Sequence, residues 1–467
     1  MDIIKKILFI VTITTSLLGV SQNNENPKYN YFDAKTYLLY TQEKWDSLIY
    51  LSKLAIDSNN LDSYYFRVRY AVALFNKQKY IKAIEQFKYA KFYQNNDFVK
   101  TYLYYSYKYA GFDYKADELA ENFPDTLRKT LKIKNSFLKS VDLSYSNYSN
   151  LDYDKNRQDN ILTGENMLAE SSYRKKNNYL ISFGSWLRFS KSIKWYFSFD
   201  YLNFEKEQKF QNKNSILYKD ALSTQFSVYN KLQYNKERFS LSLAYNYLNI
   251  KSDYYKVTYF DYSKFDIKDT TYASNDYSFN IFTAYRFDYF SINADYTLSG
   301  LNKHRQNIYG VGAIAFPFGN KNLYLSYSVH WQDISQKQIP ADAPQGQGRG
   351  RNAQYVSIEK NTVQKLKIGL KLFNPLWFEA SSYFGRMNEY SELAYYVYNE
   401  TTPIKQMYSG KFIYLINSNL QFFVKGTFTL RENNYYNYNF IDNATEISKY
   451  TQNFNNLNIL GGLKWDF

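Results

Sequence analysis

The chain has 467 residues, no cysteine and a formal net charge of +15. Without cysteine it can form no disulfide, and it lacks the residue on which a lipoprotein anchor is built. Its 58 Lys and Arg are dispersed rather than gathered on one helix or run, which argues against nucleic acid as a partner.

Aromatic residues make up 20% of the chain, with 53 Tyr and 36 Phe, yet mean hydropathy is −0.57. That combination fits a membrane barrel, in which apolar residues occupy only alternate positions. An AT-rich coding bias would push the composition the same way. At the N-terminus, Lys5 and Lys6 precede an apolar run from Ile7 to Val11, extended by Ile13, Leu17 and Leu18. Gly19-Val20-Ser21 then supplies small residues before a cut, so 1–21 reads as a signal peptide. The apolar stretch is too short and Thr-rich for an anchor, and no later segment approaches the ~20 apolar residues of a spanning helix.

From Tyr31 to Leu131 the apolar residues recur at helical spacing, which predicts a helical domain over 22–131. Ala71, Ala83, Phe87 and Ala90 occupy the small and aromatic positions where paired helices approach closely. Tyr80 has counterparts at Tyr114, 34 residues on, and at Trp45, 35 residues back. KQKYIKAIEQFKYAKFYQNND (Lys77 to Asp97) resembles the second half of a tetratricopeptide repeat, whose period is 34 residues. Asn95 stands where that family usually has Pro, and Leu48 and Asp117 stand at the Ala83 position of the flanking copies. The resemblance implies a short all-α repeat array whose concave face binds a peptide or protein. A spacer that binds nothing is the alternative.

Pro124 and the run Arg128 to Lys134 lead into a linker at 132–136. Near Phe137 the period switches from 3.6 to 2 and stays there, which predicts an antiparallel transmembrane β-barrel over 137–467. Fourteen strands are expected, near 137–148, 178–190, 193–204, 222–234, 237–250, 275–287, 289–299, 306–317, 321–333, 363–373, 375–387, 405–416, 419–432 and 455–467. Glycines in Ile308 to Phe318 blur which face of the eighth is outward. Tight turns alternate with long polar connections at 149–177, 205–221, 251–274, 334–362, 388–404 and 433–454, and 300–305 is the one short member of that second set. Bacterial barrels have short periplasmic turns and longer outer loops, so this parity puts the helical domain and the C-terminus on the periplasmic side. Lipid can cover the apolar face if the sheet closes and leaves no edge.

Leu457, Ile459, Gly461, Leu463, Trp465 and Phe467 share one face of the last strand. An alternating aromatic strand ending in Phe resembles the signal read by the outer-membrane barrel assembly machinery, carried here by Gly461, Leu463, Trp465 and Phe467. The two-part layout resembles Bacteroidota outer-membrane barrels with tetratricopeptide N-termini. Asp46-Ser47-Leu48 and Asp125-Thr126-Leu127 resemble the O-glycosylation motif of that phylum. The resemblance implies a barrel in outer-membrane lipid with its N-terminal domain in the periplasm.

With the apolar face outward, the lumen would receive Arg188, Lys194, Lys231, Arg286, Lys365, Lys367, Lys371, Lys411, Lys425 and Lys464. Its acids would be Asp142, Asp200, Asp295 and Glu379. Such an excess of positive charge favours anions in a pore, whereas cross-strand pairing would plug it. The candidate catalytic pair, His330 and Ser328, would sit two residues apart on one strand, ~7 Å, too far for a direct nucleophile–base bond. His304 lies between Lys303 and Arg305, whose charges would make it a poor partner for a carboxylate. QGQGRGR (Gln345 to Arg351) lacks the strand–turn–helix context of a phosphate loop and reads as a basic surface loop. No cofactor motif and no Cys/His metal cluster is present in the sequence.

Three functions follow, in order. The first is an outer-membrane anchor whose periplasmic repeats recruit an envelope protein, with a filled lumen. The second is a channel for small anionic or polar solutes. The third is a lipid- or envelope-active enzyme resting on His330 and Ser328.

Overall fold

The computed structural model describes residues 27–93, 96–133, 136–164, 167–175, 178–259, 265–338, 354–399, 402–441 and 444–467. The expected signal peptide, Asn95 and the Gln345–Arg351 loop lie outside the described residues. The chain divides into two compact units, one helical and one made of strands.

The helical unit contains α1 (Pro27–Thr41), α2 (Trp45–Lys53, continued by a π turn over Leu54–Ser58), α3 (Tyr64–Asn76), α4 (Tyr80–Tyr93), α5 (Asp97–Ala110), α6 (Asp113–Glu121) and α7 (Asp125–Thr130). Trp45, Tyr80 and Asp113 open α2, α4 and α6, close to the spacing read from Trp45, Tyr80 and Tyr114. Ala71, Ala83, Phe87 and Ala90 are wholly buried in one cluster, with Tyr80 packed against it. Small side chains there let α3 and α4 approach closely, and Phe87 fills the space they leave. Leu48, at the Ala83 position of the preceding copy, is also wholly buried. Asp117, at the same position of the following copy, is buried and takes Lys108 Nζ at 3.0 Å. Tyr114 is half-buried on α6. The boundaries follow local chemistry. Asn96 caps α5 by accepting from the Val99 N–H at 3.0 Å, and Gly111 ends it at φ 85°, where a side chain would be strained.

The strand unit is a closed antiparallel barrel of fourteen strands. They are β1 (Leu138–Asn150), β3 (Asn178–Arg188), β4 (Ile193–Gln211), β5 (Ile216–Lys236), β6 (Phe239–Tyr259), β7 (Phe265–Arg286), β8 (Phe290–Leu301), β9 (His304–Ala315), β10 (Leu323–Gln338), β11 (Gln354–Phe373), β12 (Leu376–Met387), β15 (Ile404–Leu415), β16 (Leu420–Ile441) and β17 (Ala444–Asp466). Outside the wall lie β2 (Met167–Arg174), β13 (Tyr390–Glu392) and β14 (Tyr396–Tyr398). Val141 opposite Trp465 joins β1 to β17, and the Phe467 N–H donates to the Lys139 carbonyl at 2.8 Å. Closure leaves the wall no unpaired edge, the condition for a sheet in lipid.

Strict alternation decides which side chains meet lipid. Leu243, Leu366 and Ile459 point outward and are 40%, 49% and 54% exposed. The same holds around the wall for Ile181, Leu232, Ile292, Val311, Phe412 and Leu463. An apolar belt of this extent is not stable in water and defines a membrane-spanning surface. Gly310 and Gly312 face the lumen, so the glycines of β9 mark its inner face. A Cβ on Gly310 would collide with the Asp295 carboxylate and the His330 ring.

Most of the long polar connections are strands. β4 runs on to Gln211 and turns into β5 at Ile216, while β6 reaches Tyr259 and β16 reaches Ile441. Beyond the lipid both faces of a hairpin are wet, so the apolar alternation that marks the wall is lost while the hydrogen-bond ladder continues. Within 149–177, α8 (Tyr153–Gln158) and β2 form instead of an open loop. β2 pairs with β16 on one edge and with β4 on the other. It thereby bridges two hairpin extensions separated in the wall by β17, β1 and β3. Lys209, wholly buried, secures this bridge by donating to the carbonyls of Arg157 (2.8 Å) and Asp159 (2.5 Å).

Leu243→Arg places a charge on the lipid face, where the cost is about 2–4 kcal/mol near the midplane. Denaturant unfolding of the barrel in lipid vesicles is expected to show that loss. A change below about 0.5 kcal/mol, typical of a water-facing site, would put Leu243 outside the lipid.

Candidate functional site: a hairpin inside the lumen

The connection between β12 and β15, expected as a polar outer loop, folds back into the barrel. Its sequence explains why. Leu393-Ala-Tyr-Tyr-Val-Tyr398 is an apolar, aromatic run, and in the open it would expose that surface to water. Instead β13 and β14 pair with each other, Tyr390 opposite Tyr398. A tight turn joins them, with the Tyr395 N–H donating to the Glu392 carbonyl at 3.0 Å. Leu393 and Ala394 sit there at φ 51° and 59°. Left-handed backbone costs roughly 1–2 kcal/mol per residue without glycine, so surrounding contacts must hold the turn.

Those contacts come from many strands of the wall. Ser391 Oγ lies 2.6 Å from Ser278 Oγ on β7. Asn246 on β6 donates to the Ala394 carbonyl at 2.9 Å. Tyr395 packs on Tyr229 and Tyr196, from β5 and β4, at ring distances of 4.8 and 6.3 Å. On the opposite wall Glu392 pairs with Lys365 of β11 and accepts from Tyr383 of β12 at 2.8 Å. Tyr390 is buried against Ile308, Val363 and Met407. The hairpin therefore crosses the lumen rather than lining one side of it.

At the base of the hairpin, His304 Nδ1 lies 2.8 Å from Glu389 Oε2. This corrects the expectation that His304 is a poor carboxylate partner. Its basic neighbours point elsewhere: Lys303, in the turn before β9 at φ 70°, lies over the Tyr272 ring, and Arg305, on the opposite face of the strand, lies over the Tyr355 ring. Glu389 also accepts from Asn302 and Gln306, each at 3.1 Å.

Of the ten basic residues expected in the lumen, Lys464 pairs with Asp466 at 3.0 Å near the end of the last strand, and the other nine fall into three groups. Arg188, Lys194 and Arg286 sit at the tight-turn rim, where Arg188 and Lys194 are register partners and Arg286 reaches the Asp288 carbonyl at 3.4 Å. Lys365 and Lys367 are neutralised, the first by Glu392 and the second by Glu379 at 3.0 Å. Lys231, Lys371, Lys411 and Lys425 have no carboxylate within ion-pair distance among the described residues. Three of them lie over rings instead: Lys371 on Trp377, Lys411 on Phe423 and Lys425 on Tyr396.

The candidate catalytic pair does not form a dyad. His330 Nε2 is 3.4 Å from Asp295 Oδ1, its ring meets Tyr390 edge-on, and its Nδ1 has no partner. Ser328 also faces inward, next to Lys365 in the register. Among the described residues no cluster of three or more His, Asp or Glu is arranged to hold a metal ion. Gly461, Leu463, Trp465 and Phe467 keep their outward face on the last strand, with Leu463, Trp465 and Phe467 exposed. The hairpin, with Glu392, Glu389, Ser391 and the tyrosines, was not singled out in the sequence. The one available signal was its LAYYVY run, too apolar for an outer loop.

Fold and lumen together define the class: a membrane-spanning, closed 14-stranded barrel with one connection folded into its interior. No family model matches the sequence, and no curated protein does. Among solved structures the chain is similar to a Pseudomonas aeruginosa FadL homologue, at 9% identity over 77% of this chain and 98% of that one, with a TM-score of 0.43. It is also similar to the Pseudomonas putida toluene transporter TodX, at 6% identity over 72% and 91%, with a TM-score of 0.44. A third likeness, to the structure titled MamA MSR-1 C2, covers 23% of this chain and 60% of that one at 21% identity, with a TM-score of 0.20.

Glu392→Gln leaves Lys365 without its carboxylate, and breaking a buried pair on one side costs about 3 kcal/mol. Protease cleavage within 388–403 of the folded protein is expected to accelerate on the order of 100-fold, the equivalent of that loss. Replacing both partners, Lys365→Met with Glu392→Leu, is expected to recover much of the protection. Equal cleavage rates in all three proteins would show that the pair does not hold the hairpin.

Proposed function

We propose that this protein is an outer-membrane channel for small polar or anionic solutes, with the β13–β14 hairpin as its constriction. The observation that carries the reading is the set of inward lysines without carboxylates: Lys231, Lys371, Lys411 and Lys425. An ammonium group in a dry interior costs several kcal/mol even after relaxation, and rings recover only part of that. Four such groups inside one barrel require water in the lumen. A hydrated lumen crossed by a tethered hairpin is a conduit with a constriction. An anchor has no use for that charge and would fill its interior with paired or apolar side chains. The order expected from the sequence, anchor first and channel second, is therefore reversed.

The direction of selectivity follows from the same residues. Charges in a low-dielectric ring focus the field along the lumen, and the excess here is positive. Under this reading the exposed outward face of the last strand, ending in Phe467, serves the barrel assembly machinery, and the tight turns and the helical unit face the periplasm. The stacked helix pairs support a tetratricopeptide-like array, and a partner bound to it is a secondary role of the same protein.

Planar bilayer recording of the full chain tests the reading. Small anion-selective steps are expected. Replacing 389–402 by Gly-Ser-Gly is expected to raise the conductance several-fold, because the constriction is removed from an otherwise hydrated barrel. A folded but silent hairpin-deleted barrel would contradict the channel.

A further inference from the structure

Lys411 and Lys425 are direct register partners on β15 and β16, both facing inward. Like charges placed opposite each other repel, and a protein can relieve this with an acid nearby. Glu379 stands opposite Lys411 in the β12–β15 ladder, yet neither it nor another nearby acid comes within ion-pair distance of Lys411 or Lys425 among the described residues. Glu379 takes Lys367 at 3.0 Å and the Tyr324 hydroxyl at 2.5 Å. Glu392 takes Lys365 and Tyr383. Asp142 accepts from the Tyr196 hydroxyl at 3.2 Å. The two ammonium groups instead lie over the Phe423 and Tyr396 rings, at 4.6 and 5.1 Å.

Tyr396 differs from the rest of the hairpin. Tyr390 is 1% exposed, whereas Tyr396 is 44% exposed although it belongs to the same lumenal hairpin. Open space therefore adjoins Tyr396 where Lys425 and Tyr395 leave it uncovered. The aromatic surface continues through Tyr395, 4.7 Å away, to Tyr229 at 4.8 Å from Tyr395.

We infer that Lys411, Lys425 and the open face of Tyr396 form a binding station for an aromatic carboxylate inside the lumen. The inference rests on the channel reading and names its solute class. A carboxylate has two oxygens and can accept from both ammonium groups at once, which removes their repulsion. A planar ring attached to it would lie against Tyr396, where offset or edge-on contact is favourable. Chloride would satisfy the charge without using the ring, and a neutral aromatic would use the ring without the charge. The geometry supplies both elements side by side.

The test is calorimetric titration of the full chain, folded in detergent micelles, with sodium benzoate, benzamide and sodium chloride. Saturable benzoate binding is expected, at least 10-fold tighter than that of benzamide. The Lys411→Gln/Lys425→Gln variant is expected to bind benzoate at least 10-fold more weakly. Tyr396→Ala is expected to weaken benzoate while leaving chloride unchanged, and it checks the site without altering the wall. Circular dichroism confirms folding of each variant. Benzoate binding that is absent, or equal in the double-lysine variant, or matched by benzamide, overturns the station. If that happens while the hairpin-deleted barrel conducts, only the solute class falls. If benzoate binds as expected but no form of the barrel conducts, the site stands and the channel reading falls.

Discussion

Everything inside this barrel depends on how positive charge is accommodated within a ring of low dielectric. The wall alternates apolar and polar residues, so each inward position must be satisfied by a neighbour, by a folded-in segment or by water. The protein uses the first two, and the proposed channel adds the third. Lys367 takes a carboxylate from the adjacent strand, Lys365 takes one from the hairpin, Lys371, Lys411 and Lys425 lie over rings, and Lys231 has no carboxylate within ion-pair distance among the described residues. The hairpin is thus an electrostatic component of the lumen as well as an obstacle in it.

Its attachment is also informative. The Ser278–Ser391 contact, the Asn246 bond to Ala394 and the Lys365–Glu392 pair come from separate strands, and each is a buried polar contact. Apolar packing is added by Tyr390 and Tyr398 on one side, by Ala394 and Tyr395 on the other, and by Val397 against Leu248 and Leu301. A segment held in this way is fixed from several sides of the lumen. Glu389 gathers His304, Asn302 and Gln306 at its base and keeps the entry of the chain fixed.

Much of the wall was legible in the sequence because lipid enforces a rule that single residues reveal. Leu243 or Ile459 must be apolar, Ser242 or Lys464 need not be, and the period of two follows. The fourteen strands and the inward placement of the lysines come from that rule. It stops at the membrane surface, which is why the outer parts of β4 to β7 and of β16 and β17 read as loops. The hairpin was hidden for a different reason. Its position is set by partners more than a hundred residues away, such as Asn246 and Ser278, and no local pattern encodes them. The sequence neighbours of His304 mislead because Lys303 is turned away by the left-handed turn before β9 and Arg305 by the alternation of the strand. In the helical unit the small residues at Ala71, Ala83 and Ala90 reported the close packing directly, since only short side chains allow it.

The most direct test of the account is a reversible lock on the hairpin. The chain has no cysteine, and the hydroxyls of Ser278 and Ser391 are 2.6 Å apart, so Ser278→Cys with Ser391→Cys introduces one clean thiol pair. In the membrane-inserted protein the pair is expected to oxidise to a disulfide and to keep the small conductance of the full chain, well below that of the hairpin-deleted barrel. Failure of the two cysteines to join, or a locked barrel that conducts as much as the hairpin-deleted one, would contradict a hairpin seated in the lumen as the constriction.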